Sequence, residues 1–128
     1  MADKTTQSKP AREPRSKKVD GLTEMLENIA AMPEHDREMA LHFRSIVERV
    51  APSLKPRLWY GMPAWTKDGK VLCFFQAASK FKVRYATFGF DESAVLDDGN
   101  MWPTSYALTE LGDDEEKRIE ALIAKAMG

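Results

Sequence analysis

Residues 57–77 read RLWYGMPAWTKDGKVLCFFQA, and the fold turns on how this run is divided. Asp68-Gly69 sits between two apolar runs and is a strong hairpin signal, because both residues tolerate the positive φ of a tight two-residue turn. The stretch 71–77 (VLCFFQA) is apolar on both faces for most of its length, as expected of a central strand. The stretch 57–65 is aromatic-rich but interrupted at Gly61 and Pro63. Met62 precedes a proline and is pushed toward extended backbone. Pro63 cannot donate to a ladder, which predicts an edge or a bulge. The expectation is a kinked edge strand, bent at Gly61, that fans Trp59, Tyr60 and Trp65 to different faces.

Downstream, Ser79-Lys80 predicts a turn. Phe81, Val83 and Tyr85 then alternate with Lys82 and Arg84, the pattern of a strand with one wet face. Phe88 and Phe90 continue it, with a bulge expected at Gly89. Residues 91–103 form a long connection, with a helical turn expected over 92–96 and a tight turn at Asp98-Gly99-Asn100. Residues 104–111 read as a last strand.

Upstream, Leu22, Met25, Leu26 and Ile29 fall at i, i+3, i+4 and i+7, one face of a short helix with Asp20 available as its cap. Met32-Pro33 ends that helix and opens a second, with Pro33 expected at its first position. Met39, Phe43, Ile46, Val47 and Val50 form the second stripe, and Pro52 and Pro56 bracket the connector that follows. At the C-terminus, Asp113 is expected to cap a helix, with Glu116 completing a capping box and Ile119, Leu122, Ile123 and Ala126 facing the core. The fold class is therefore α+β: a two-layer sandwich, with an N-terminal helix pair and a C-terminal helix on an antiparallel sheet of about four to five strands.

The chain has 128 residues, one domain's worth, and 43% of them are hydrophobic, enough for one modest core. The net charge of −1 conceals an asymmetry. Residues 1–18 carry six basic and two acidic residues, whereas the remainder carries thirteen basic and eighteen acidic. The basic stretch reads as a disordered tail, and residues 19–128 as a single domain. The acidic balance of that domain argues against a nucleic-acid-binding function. No stretch has the length of apolar sequence that a membrane span needs. A polar N-terminus and a single cysteine, Cys73, point to a cytoplasmic protein without an intramolecular disulfide. The expected assembly is a monomer or weak dimer.

Candidate chemistry is sparse. Cys73 lies mid-strand with no local His to activate it and reads as a small buried hydrophobe. His35, Glu38 and His42 fall within about 60° of arc on one helix face and could ligate a metal, although the two imidazoles are about 10 Å apart along the axis. Asp20, Glu24 and Glu27 at the start of the first helix and Glu34 and Asp36 at the start of the second add carboxylates able to hold a hard cation. Each equally complements a helix dipole on a solvated surface. Lys82 and Arg84 could recognise an anion or simply keep a sheet face wet. Trp59, Tyr60, Met62, Trp65 and Trp102 either fill the core or line a cleft for an aromatic ligand.

Tyr60-Gly61-Met62-Pro63, Gly69-Lys70 and the run on to Tyr85 carry a resemblance to the YdhG-like (DUF1801) family, covering about residues 22–127. The resemblance implies a frataxin-like α+β fold. For one branch of the family it also implies an intracellular iron chaperone that uses surface carboxylates and His. Two expectations follow. One is a non-enzymatic binding module carrying iron on its helix carboxylates. The other is a module holding a small anionic or aromatic ligand between the Trp-rich bend and the basic strand.

Overall fold

The structure is a computed structural model that describes residues 20–128; the basic stretch 1–18 lies outside them. Helices α1 (Gly21–Ala30) and α2 (Glu34–Val50) come first. Strands β1 (Lys55–Trp59), β2 (Met62–Lys67), β3 (Lys70–Gln76), β4 (Ala86–Phe90) and β5 (Ser105–Leu108) follow, and α3 (Asp113–Ala126) closes the chain. The sheet is an antiparallel meander in the order β1-β2-β3-β4-β5. The expected α+β sandwich is what forms.

The helices bury one apolar stripe each against the sheet: Met25 and Ile29 from α1, Phe43, Ile46 and Val47 from α2, Ile119 and Ile123 from α3. Phe43 is the centre, with its ring 5.5 Å from that of Trp65, 5.8 Å from Phe75 and 5.6 Å from Phe88. Asp20 caps α1 as expected, accepting the Thr23 N–H at 2.8 Å, and this bond holds its carboxyl below the usual carboxylate range.

The stretch WYGMPAW is not one kinked edge strand. Trp59 pairs with Met62 across a two-residue turn at Tyr60 and Gly61, whose φ values are 53° and 73°. It is a hairpin of the same left-handed kind as Asp68 and Gly69, where φ is 52° and 81°. Nor is Pro63 on an edge, since β2 lies between β1 and β3. Ladder bonds alternate in an antiparallel pair, so Met62 bonds toward β1 and Pro63 turns its missing N–H toward β3. The recorded pairing with β3 begins at Ala64, just past the proline.

Five further expectations are corrected. Residues 81–85 are not a strand; they form a loop after a 3₁₀ turn (Ala78–Lys80) in which Lys82 and Val83 donate back to the Ser79 and Ala78 carbonyls. That Schellman pattern consumes backbone groups a ladder would need. Gly89 stays in register with Phe74 and Ser105; it is glycine because a Cβ there would lie 2.6 Å from the Phe74 ring. The irregularity falls instead at Trp65/Thr66. Finally, α3 starts from Gly112, whose N–H donates to Glu115 Oε1 at 2.9 Å, so the cap lies one residue before Asp113 and Glu116 is free to face α2. Pro33 likewise precedes α2 rather than opening it, and 92–96 makes turns without a helix.

Tyr60 holds a bulky ring at positive φ, a conformation that costs about 1 kcal/mol relative to residues suited to it. Its ring is 78% exposed and rests edge-on against Trp59, so it recovers little by burial. Tyr60→Asn, which creates the favoured Asn-Gly turn, is expected to raise stability by about 0.5 kcal/mol in urea denaturation. A lower midpoint would mean that the Tyr60–Trp59 contact outweighs the backbone term.

Candidate functional site

The three tryptophans do not converge. Trp59 and Trp65 lie on different strands of one hairpin and face opposite sides of the sheet. Trp59 packs at a tilt against Phe74 on the outer face, with ring centres 5.4 Å apart, while Trp65 is fully buried against Phe43. Trp102 is half-buried against a separate cleft beside Phe90, Ala94 and Leu96. Lys82 and Arg84 are exposed on the 81–85 loop, where Arg84 lies 5.3 Å from the centre of the Tyr85 ring.

The metal candidates are similarly dispersed. Glu24, Glu27, Glu34 and Glu38 are exposed, and Asp20 is occupied as a cap. His35, Glu38 and His42 do border one shallow cleft with Glu110 and Leu111. Yet His35 Nε2 donates to the Thr109 carbonyl at 2.9 Å, a bond that raises its pKa. His42 pairs with Glu116, which also takes Arg49 at 3.1 Å, and the His42 bond leads in holding the Glu116 carboxyl low. Among the described residues no group of three or more His, Cys, Asp or Glu is placed to hold a metal ion. Cys73 is buried and its thiol is pushed up by that burial.

The structure assembles a different site, at the tip of the β1–β2 hairpin. A cleft of about 240 Å³ opens between the end of α1, the Tyr60-Gly61 turn and the 3₁₀ turn. Met32, Met62, Pro63 and Phe75 supply apolar walls, and Lys80 and Ser79 supply the polar side chains. Asn28 Nδ2 donates to the Gly61 carbonyl at 3.1 Å and ties the hairpin to α1. Its Oδ1 is buried without a protein partner. Lys80 reaches across so far that a Cβ on Gly61 would lie 2.8 Å from its Nζ. Glycine at position 61 thus serves both the turn and the close approach of the ammonium.

Asp36 sets the position of Lys80. It is only 5% exposed, and its two carboxylate oxygens accept the Ala78 and Ser79 N–H groups at 3.0 and 3.1 Å. This is a side-chain cap on the 3₁₀ turn, delivered from the first turn of α2. Residues 69–90, which carry Lys80, contain no Asp or Glu. Among the described residues no carboxylate forms a salt bridge with Lys80.

Of the residues expected at a ligand site, only Met62 lines this cleft. Asn28 was not singled out by sequence, Asp36 was read only as one of the acids at helix starts, and Lys80 only as a turn residue. The absence of acidic residues across 69–90 was the one available signal, and it does not distinguish Lys80 from Lys82 or Arg84. No protein-family model, no curated protein and no solved structure matches this chain.

Proposed function

We propose that the chain is a non-catalytic binding module that holds a small organic anion in the cleft beside the Tyr60-Gly61 turn. One observation carries this reading: Lys80, without a carboxylate partner among the described residues, extends its ammonium over Gly61 at the mouth of an apolar-walled cleft. A charge-assisted hydrogen bond to a carboxylate or phosphate is the chemistry such a group supplies. Met32, Met62, Pro63 and Phe75 would cover the apolar body of the ligand, and the Ser79 hydroxyl adds a second polar contact. Kinship with the YdhG-like family belongs to the same proposal, since Gly61, Met62 and Pro63 of the resemblance form one wall of the cleft.

Benzoate, titrated into the protein and followed by ¹H–¹⁵N spectra, tests this. Shifts are expected at Gly61, Met62, Ser79 and Lys80, saturating in the millimolar range typical of a small fragment. Benzamide, the neutral isostere, is expected to bind at least fivefold more weakly, and Lys80→Gln to reduce benzoate affinity by a similar factor. Equal binding of the two compounds, or no loss with Lys80→Gln, would sink the proposal.

A further inference from the structure

The two edges of the sheet are treated differently. β1 carries Lys55, Pro56 and Arg57, and α1 lies so close across it that a Cβ on Gly21 would be 2.2 Å from the Pro56 carbonyl oxygen. Charge, proline and a covering helix are the usual means of blocking an edge. Among the described residues, β5, with the sequence SYAL, has none of these.

The register shows which β5 groups are open. Phe90 N–H donates to the Thr104 carbonyl at 2.7 Å, and Phe88 pairs with Tyr106. Ladder bonds alternate, so Ser105 and Ala107 turn their N–H and C=O groups away from β4. Both residues are exposed. At Thr109, the next outward position, the carbonyl is already taken by His35, which closes the open edge at that end.

Beside this edge, on the helix side, a groove of about 110 Å³ runs between β5 and α3. Phe88, Tyr106, Leu108, Ile119 and Leu122 form its walls and Arg118 its rim. Arg118 is exposed and has no carboxylate partner among the described residues, while Glu115 is committed to the Gly112 N–H.

We propose that the β5 edge and this groove dock an extended peptide as a sixth strand, with one apolar side chain in the groove and an acidic side chain on Arg118. Main-chain bonds to Ser105 and Ala107 give attachment, and the period of two delivers alternate side chains to the helix side. A second copy of the chain fits less well. Antiparallel pairing of two β5 strands about Tyr106 sets Tyr106 against Tyr106. It also carries the incoming Glu110 to the Trp102 end, away from Arg118 on the second turn of α3.

The test is to pan a phage-displayed random heptapeptide library on the full chain. Enriched peptides are expected to carry an apolar residue and an acidic residue at alternate positions, and the synthetic peptide to shift the Ser105 and Ala107 amides. Ala107→Pro removes an outward N–H but no β4–β5 bond, and is expected to weaken binding at least tenfold. Arg118→Glu, at an exposed position, is expected to do the same for acidic peptides and keeps the proposal testable should the proline variant not fold. Four results overturn it: no enrichment, binding indifferent to both substitutions, shifts confined to Gly61 and Lys80, or a dimer in sedimentation that Ala107→Pro abolishes. The edge and the anion cleft are separate, so either can fail without the other.

Discussion

Phe43→Ala is expected to lower stability by about 3–5 kcal/mol, the usual range for removing a fully buried aromatic side chain. Phe43 has no exposed surface, and its ring meets Trp65 of β2, Phe75 of β3 and Phe88 of β4. It therefore joins α2 to three adjacent strands, and truncation leaves a cavity whose walls are held by three separate backbones. Those walls cannot collapse together, which places the expected cost toward the upper end. A domain of this size has about 5–15 kcal/mol in total, so the loss should lower Tm by roughly 15 °C or more. Phe43→Leu retains most of the volume and should cost under half as much. Urea denaturation of both variants gives the comparison; a loss below about 1.5 kcal/mol for the alanine variant would show that the rings repack and that Phe43 is not the centre of the core.

Asp36→Ala is expected to cost about 2–4 kcal/mol and to weaken anion binding at a cleft that Asp36 does not line. Removing the carboxylate leaves the Ala78 and Ser79 N–H groups part-buried without acceptors. It also takes a negative charge from the first turn of α2, where it complements the helix dipole. Asp36→Asn keeps one acceptor oxygen and the shape, so an intermediate loss is expected. The functional effect follows from position, since the two bonds hold the 3₁₀ turn that carries Lys80 over Gly61. Hydrogen exchange discriminates the cause: the Ala78 and Ser79 amides should lose protection in Asp36→Ala beyond the change in global stability. Unchanged exchange at both amides would mean that the turn does not depend on Asp36.

These two residues also mark the limits of reading the chain locally. Phe43 was legible as a core position because it sits in a stripe at helical spacing with Met39, Ile46 and Val47, all of which are buried. Asp36 was grouped with the solvated acids at helix starts, and nothing nearby in sequence distinguishes it from Glu34. Its partners lie more than forty residues away.

The hairpin tip shows the same division. Asp68-Gly69 was readable because both residues accept positive φ. Tyr60-Gly61 was not, because a bulky aromatic at positive φ argues locally against a turn. Pairing of Trp59 with Met62 and the Asn28 bond to the Gly61 carbonyl accompany it there. Residues 81–85 alternate like a strand, yet the Asp36 cap just before them and the Schellman bonds that bind Lys82 and Val83 back to the 3₁₀ turn make them a loop.

By itself, then, the sequence determined the helices, the central strand, the Asp68-Gly69 turn and the α+β class, because each follows from periodicity or from a turn residue's own dihedral preference. Only the tertiary structure decided that the tryptophans separate, that Lys80 rather than the Lys82 and Arg84 pair borders a cleft, and that β5 is the open edge. Those outcomes depend on strand order, register and bonds between distant residues, whose energies no local pattern encodes.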